Sequence, residues 1–283
     1  MTKTRFSIAA AALLAFSGLA QAADFPEGDA KPFQFELNYV WDSFDTTARL
    51  DVSRQNIVSV GTTIDFEQLL DVPVMDSHFR GTGQWRVSRV SYVQVSYENV
   101  RRTGKRIVDR EIVWGDETFG AGAEITGTFN TDEVYLGYRW DAFKADNVRL
   151  GLTIGCSYYD IAAGLAGEGE LTKPDGTVQN GSFDRGFDVK APVPVIGLAG
   201  EGAISSQFLF SFYVHALSLR TGDFSGGTLA GGLAVKWYAT PNFGLVGGVD
   251  ASSIRIRKYV DGNNTYSASY GYSGPRLGLV VAF

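Results

Sequence analysis

The sequence predicts an all-β protein, a closed antiparallel transmembrane β-barrel of about 12–14 strands with both termini on the periplasmic side. Three observations predict this fold. Large apolar residues alternate with polar or small ones over most of the chain. Aromatic residues lie beside the turns, and the turns and loops alternate between short and long. The chain ends on an alternating segment from Tyr266 to Phe283.

The first residues have the features of a secretory signal peptide. Lys3 and Arg5 precede an apolar run from Ile8 to Phe16, and a small-x-small cleavage site follows at Ala20-Gln21-Ala22. The run is too short to cross a bilayer as a helix. We therefore expect a cleaved signal peptide at 1–22, the alternative being an N-terminal membrane anchor. Residues 23–283 contain no linker or fixed-period repeat, so we expect one barrel domain there.

Charge and cysteine content restrict the class of protein further. Without Lys3 and Arg5, the 25 basic residues fall to 23 against 31 acidic ones, a net charge of −8. That balance argues against nucleic acid as a partner. The single cysteine, Cys156, cannot form an intramolecular disulfide and lies on an apolar strand face, where it acts as a small hydrophobic residue.

Period-2 alternation marks the strands in chain order. The predicted strands are 33–41, 47–53, 61–69, 78–88, 91–98, 107–114, 119–129, 134–140, 148–158, 193–202, 208–216, 229–237, 243–251 and 266–283. The segments 47–53 and 107–114 alternate only weakly, and without them the count falls to about 12. Either count is even, which places both termini at one end. The longest polar stretch, 167–185, is predicted to be a loop.

Charged residues occur in mid-strand, on the face opposite the large apolar side chains. A soluble sandwich would turn such charges to water, whereas a barrel must pair them in its lumen, because an unpaired buried charge costs several kcal/mol. Aromatic residues beside the turns, such as Trp85, Trp140 and Trp237, favour the barrel. The predicted lumen charge network comprises Glu36, Arg49, Asp51, Asp65, Glu67, Arg80, Arg86, Glu98, Arg139, Lys236 and Arg276.

The last strand is predicted to close the sheet. Residues 277–283 would pair with 33–41, and Arg276 would enter the lumen, where Glu36 or Asp42 could neutralise it. Phe283 should then lie at the periplasmic rim beside the first strand.

The chain resembles Gram-negative outer-membrane β-barrel proteins. The resemblance rests on the signal sequence, the alternating aromatic strands and the terminal Phe283, and it covers essentially the whole mature chain. It implies that Phe283 is the signal through which the C-terminal strand is recognised by the barrel assembly machinery. Three short motifs are similar to a group of proteobacterial barrels of unassigned function: Thr47-x-Arg49-Leu50-Asp51, Gly61-Thr62-x-Ile64-Asp65-Phe66-Glu67 and Gly115-Asp116-x-x-Phe119.

Few residues suggest catalysis. His215 would face the lumen near Ser211 and Ser218, an arrangement that could suit a lipid-acting hydrolase. His78 is interpreted as a loop-tip residue. Asp65 and Glu67 share a strand face in this prediction, but pairing with lumen arginines is the better explanation than acid–base chemistry. No catalytic residues, metal ligands or cofactors are assigned.

The sequence leaves three functions open. The first is a small porin or solute channel with a charged lumen, and the second is a structural or surface-interaction barrel with a blocked lumen, in which 167–185 is the contact surface. A lipid-acting hydrolase is a distant third, so we expect a non-enzyme. The expected location is the outer membrane. The expected partners are its lipid and lipopolysaccharide, the assembly machinery and, for a channel, a small solute.

Overall fold

A computed structural model of the protein describes residues 24–54, 57–115, 117–172, 177–260 and 264–283. The predicted signal peptide, 1–22, lies outside the described residues. Within the described ranges, no helix is long and apolar enough to cross a membrane.

The described residues form two short helices and fourteen strands. The helices are α1 (Glu27–Ala30) and α2 (Phe66–Leu70). The strands are β1 (Phe33–Arg54), β2 (Ile57–Ser59), β3 (Ile64–Asp65), β4 (Met75–Ser88), β5 (Ser91–Ile107), β6 (Ile112–Trp114), β7 (Glu117–Phe119), β8 (Glu124–Lys144), β9 (Val148–Thr172), β10 (Val178–Ala203), β11 (Phe208–Thr221), β12 (Phe224–Tyr238), β13 (Phe243–Val260) and β14 (Asn264–Ala282).

Ten of these strands close into a barrel. β1, β4, β5, β8 and β9 to β14 each pair with the next antiparallel strand, and β14 returns to β1. The register joins Leu37 to Leu279, and Phe33 and Phe283 exchange backbone hydrogen bonds at 3.0 and 2.9 Å. The predicted closure by the last strand is therefore confirmed, with both termini at the periplasmic end. β2 and β3 pair with β1, β6 pairs with β7, and β7 pairs with β9.

The predicted ring of 12–14 strands is wrong in number. Residues 33–41 and 47–53 are parts of one strand, β1, and 119–129 and 134–140 fall largely on β8. Along both strands the apolar residues move from the outer to the inner face without a turn, and this phase change looked like a strand boundary. The segments 61–69 and 107–114 lie mostly inside or beside the ring. The predicted loop 167–185 is mainly a continuation of the β9–β10 hairpin.

The outward-facing positions nearest the termini form an apolar belt. On β1, Phe33, Phe35, Leu37 and Trp41 are 39–46% exposed. They span nine residues, Phe33 to Trp41, close to the roughly 9–11 that a tilted strand needs to cross a bilayer. Exposed aromatic side chains lie around the periplasmic end: Phe33, Trp85, Trp140, Phe208, Trp237, Phe243 and Phe283. We call this level the membrane half of the barrel.

Beyond the belt, in the extracellular half, the interior is an apolar core. Two inner segments, 61–74 and 108–123 apart from residue 116, fold into the barrel there. Phe66 lies 5.3 Å from the ring of Phe129, and Trp114 stacks 5.7 Å from Phe187. Phe66 and Phe129 are fully buried and Trp114 is 1% exposed, so this half buries apolar side chains as a soluble domain does.

Candidate functional site: a charged lumen

The inward face of the membrane half carries a chain of ion pairs from the periplasmic end upward. It begins with Lys236 and ends with Glu98. The pairs are Lys236–Glu36 at 2.6 Å, Arg276–Glu36 at 3.3 Å, Arg276–Asp250 at 2.8 Å, Arg80–Asp250 at 3.0 Å and Arg80–Glu98 at 2.6 Å. Each internal member has two partners of opposite sign, which offsets much of the cost of burying it. The predicted contact between Arg276 and Glu36 is confirmed.

A second network lies on the opposite wall. The pairs are Arg139–Asp141 at 2.6 Å, Arg139–Glu201 at 3.3 Å, Arg149–Glu201 at 3.6 Å, Arg149–Asp29 and Arg86–Asp29 at 3.5 Å. Tyr92 lies beneath this cluster, with three guanidinium groups within 5.8 Å of its ring. Stacked arginines keep their fork of donors free for carboxylates.

A polar cavity of about 170 Å³ separates the two networks. Carboxylates and guanidinium groups line its lower part, and tyrosines line its upper part. The lining includes Arg80, Glu133, Tyr135, Tyr159, Tyr213, His215 and Tyr272. The volume suits a few water molecules or one small solute.

The periplasmic end of the lumen is closed by residues 24–31. Asp29 in α1 is 1% exposed and binds Arg149 and Arg86. Phe25 lies 3.8 Å beneath the guanidinium of Arg149. Gly28 packs so tightly that a Cβ atom would overlap the ring of Tyr238. Charge pairing and close packing together hold this segment in the mouth.

The inner segment 61–74 packs into the extracellular end of the lumen. Arg102, 2% exposed, pairs with Glu67 at 2.6 Å and lies 4.2 Å over the ring of Phe44. The Thr46 amide donates to Glu67 at 2.9 Å. Gly104 on β5 permits close approach, because a Cβ atom there would overlap the backbone of residues 70–72. The apolar core lies above the cavity.

Seven of the eleven residues predicted for the lumen network face the lumen. They are Glu36, Arg80, Arg86, Glu98, Arg139, Lys236 and Arg276. Arg49 and Asp51 instead lie on the outer face of β1 and pair with each other at 2.8 Å. They lie beyond the point in β1 at which the apolar residues change from the outer to the inner face. At that level the outward-facing positions carry polar residues, so both side chains point away from the lumen.

Asp65 and Glu67 were predicted to share a strand face, but helix α2 begins between them. The Asp65 carboxylate accepts the Gln68 amide at 2.8 Å and caps the helix. Glu67 instead binds Arg102. The two carboxylates therefore have separate structural partners.

The histidines differ in environment. His215 faces the lumen, where its ring stacks 5.4 Å from that of Tyr135 and lies tilted 5.0 Å from that of Tyr213. Ser218 lies on the outer face of β11 and Ser211 makes no described hydrogen bond to His215, so the described residues contain no hydrolase triad around it. The interpretation of His78 as a loop-tip residue is wrong: it is 8% exposed and its Nε2 lies 3.5 Å from Glu98.

Several buried charges were missed from the sequence. Three of them lie at inward-facing positions of alternating strands, as the predicted members do: Asp250, Glu201 and Arg149. The alternation pattern could therefore have identified them. Asp29 precedes the first strand, and no sequence signal marked it. Among the described residues, no three His, Cys, Asp or Glu side chains are placed to hold a metal ion.

Comparison with known proteins identifies the fold. No protein-family model matches the chain. No curated protein matches it either. Among solved structures, the outer-membrane protease OmpT of Escherichia coli aligns with a TM-score of 0.54 and 12% identity, covering 89% of this chain and 97% of OmpT. At that identity the likeness shows a shared fold alone. The protease activity is a property of OmpT and is not transferred to this chain.

Two other solved structures align over most of the chain with lower scores. A Pseudomonas aeruginosa FadL homologue gives a TM-score of 0.37 at 10% identity, covering 94% of this chain and 96% of the homologue. The Pseudomonas putida toluene transporter TodX gives a TM-score of 0.34 at 7% identity, covering 89% of this chain and 90% of TodX. We base the fold assignment on OmpT. The chain has the fold of a Gram-negative outer-membrane β-barrel protein.

Proposed function

We propose that this protein is an outer-membrane barrel that is closed to solutes and has a structural or surface-interaction role. The observation that carries this proposal is the filling of the lumen at successive levels. Residues 24–31 occupy the periplasmic mouth, ion pairs cross the membrane half, and an apolar core occupies the extracellular half. An open porin needs a continuous water column, which this packing opposes.

Planar-bilayer recording tests the proposal. The purified barrel should insert without steady conductance at moderate voltage. A known porin, reconstituted in the same bilayer, is the control that insertion can be detected. Stable, reproducible conductance steps from this protein would contradict the closed-lumen function.

A gated channel is the second candidate, supported by the polar cavity of about 170 Å³. Passage would require movement at both ends. Removing residues 24–31 from the mature chain clears only the periplasmic mouth, so under the closed-lumen proposal the truncated barrel stays silent. Conductance from the truncated barrel would favour the channel instead.

We propose the β9–β10 hairpin as the interaction surface. Its paired strands extend beyond the apolar belt, with Gly167 opposite Phe183. Shortening the hairpin by removing 167–185 should abolish binding of a surface partner while the ring still forms. Unchanged partner binding would exclude the hairpin as the contact surface.

We also infer export to the outer membrane and insertion through the barrel assembly machinery. Phe283 is 62% exposed at the end of the closing strand, where a receptor could reach it before closure. Phe283→Ala should lower the amount of folded barrel in the outer membrane. Phe243→Ala, at 60% exposure on the same end, is the matched control and should assemble normally.

A further inference from the structure

One carboxylate on the lumen wall lacks a cation. Five carboxylates and four cations line the polar cavity. Glu133 forms no ion pair with a described residue, although the Tyr159 hydroxyl donates to it at 2.8 Å. Each of the other four carboxylates forms an ion pair with one or more of the cations: Glu36, Glu98, Glu201 and Asp250. Within the described residues, the cavity therefore has one negative charge that its own wall does not balance.

A second acid lies directly beside Glu133. Glu133 on β8 is opposite Glu98 on β5, and like charges directly opposite each other destabilise a strand pair. Glu98 is 4% exposed, and its Oε1 is buried with no hydrogen-bond partner among the described residues. The two acids thus concentrate negative charge, with a free acceptor oxygen, on one side of the cavity.

The arginine that pairs with Glu98 cannot also serve Glu133. Each nitrogen of Arg80 already has an acceptor. Its Nε donates to Glu98 at 2.6 Å, its Nη1 to Asp250 at 3.0 Å and its Nη2 to the Tyr272 hydroxyl at 3.4 Å. A planar guanidinium held on three sides cannot turn to a further carboxylate without losing one of these contacts. The balancing positive charge is therefore one that the described wall does not supply.

Aromatic rings line the cavity together with the two acids. Tyr213, His215 and Tyr272 lie on the inner face yet are only half-buried, so they expose surface to the cavity. The Tyr213 hydroxyl donates to Asp250 at 3.2 Å, and the Tyr272 hydroxyl accepts from Arg80. Because their hydroxyls are engaged, these tyrosines offer the cavity mainly ring surface, which attracts organic cations.

The size of the cavity restricts the ligand further. Its volume of about 170 Å³ is close to the roughly 150 Å³ of an apolar cavity that holds benzene, so a ligand of about six to eight non-hydrogen atoms fits. A metal ion is not favoured, because no three His, Cys, Asp or Glu side chains of the described chain are placed to hold one. The acids, the rings and the volume together suit a small organic ammonium ion.

We propose that the polar cavity binds a small organic ammonium ion of about the size of choline. The ammonium group lies against Glu133 and the free oxygen of Glu98. The carbon atoms lie against the rings of Tyr213, His215 and Tyr272. A ligand can be held in a lumen that does not conduct, so this inference goes beyond the closed-barrel role and does not depend on it.

Binding of choline tests the proposal. The mature barrel is folded in maltoside micelles and sodium phosphate, because phosphocholine detergents and amine buffers would compete for the cavity. Labelled choline is present during folding, so that binding does not depend on an entry route, and bound label is counted after equilibrium dialysis. Choline should bind with a Kd below about 1 mM. Glu133→Gln should weaken binding about tenfold or more, because it removes the unbalanced charge and keeps the shape.

The matched control is Asp132→Asn. Asp132 is the preceding residue, faces outward and pairs with Arg101. Its substitution removes the same charge one residue away, so this variant should bind choline like the wild type. A second control is the neutral isostere of choline, in which a carbon atom replaces the nitrogen. It should bind about tenfold more weakly or worse, because it fits the cavity but has no charge for Glu133.

Four results would overturn the proposal. They are no saturable binding of choline up to about 10 mM, unchanged affinity in Glu133→Gln, equal loss in Asp132→Asn, and equal affinity for the neutral isostere. The first would mean that a proton, rather than a ligand, neutralises Glu133. Heat-dependent gel mobility verifies that each variant is folded. Glu133→Gln should fold, because it removes one of two opposed like charges.

Discussion

The two halves of the barrel are built with opposite polarity. In the membrane half, apolar side chains face outward and charges face the lumen. In the extracellular half, polar side chains face outward and apolar ones fill the interior. The same strands form the wall in both halves, so the solvent outside the wall determines which face is apolar. The membrane half is stabilised inside by charge pairing, and the extracellular half by the hydrophobic effect.

Strand β1 contains both arrangements. In the membrane half, Phe35 points outward at 46% exposure and Glu36 points inward at 9%. In the extracellular half, Arg49 lies on the outer face and Ala48 is 1% exposed inside. The same backbone therefore changes from a membrane strand to a soluble strand within a few residues.

The largest expected effect is loss of packing in the extracellular half. Phe66→Ala removes a fully buried ring that contacts Phe129, and it should lower the free energy of unfolding by about 3–5 kcal/mol. Urea unfolding in detergent micelles, followed by tryptophan fluorescence, measures it. Phe79→Ala, on a side chain 61% exposed on the belt, is the control and should cost much less. Equal losses would mean that the extracellular core does not stabilise the barrel.

The membrane half should respond to charge balance rather than to lost volume. Asp250→Leu leaves Arg80 and Arg276 short of a partner and should cost about 3 kcal/mol. Adding Arg276→Met leaves two complete pairs, Lys236–Glu36 and Arg80–Glu98, and should restore most of the stability. A double-mutant cycle with the same unfolding assay gives the coupling. Additive losses would show that the network is not a balanced set of pairs.

This change of polarity also explains what the sequence could and could not predict. Within one half, alternation is a reliable guide, and it correctly paired 33–41 with 277–283 and placed Arg276 beside Glu36. Across the membrane boundary the apolar residues move by one position in the alternation, from the outer face of the strand to its inner face. At Asn130 to Asp132 in β8, that shift coincides with polar residues and resembles a turn, although the strand continues.

The inner segments were missed for a different reason. Residues 61–69 show apolar spacing that also fits a strand, and α2 is only five residues long. Its position is determined by tertiary contacts, such as Glu67 with Arg102, between residues far apart in sequence. Local patterns contain no information on such contacts. The sequence alone therefore left an open and a blocked lumen as alternatives.

A smaller effect is expected at the periplasmic mouth. Gly28→Val places side-chain atoms against Tyr238 and should cost about 1–3 kcal/mol locally. Faster hydrogen exchange in α1, with unchanged exchange in β13 and β14, measures this loosening. Asp24→Ala, on an exposed side chain of the same segment, is the control. Faster exchange across the whole ring would show instead that the segment is integral to the barrel.

The smallest effect is expected on the outer wall of the extracellular half, where charges are exposed to water. Burial alone would raise the pKa of Asp132, but hydrogen bonds from Arg101, Asn99 and Tyr97 outweigh it and lower the pKa. Arg101→Gln should cost about 0.2–1 kcal/mol at neutral pH, because solvent screens the pair.

The pH dependence of that loss distinguishes an ion pair from packing. A lowered pKa contributes stability above the ordinary value of about 4, and this contribution is lost as the pH falls through the folded-state value. The difference between wild type and Arg101→Gln should therefore shrink on acidification, whereas the Phe66→Ala difference should not. A pH-independent difference at Arg101 would mean that its alkyl chain, rather than its charge, stabilises the outer wall.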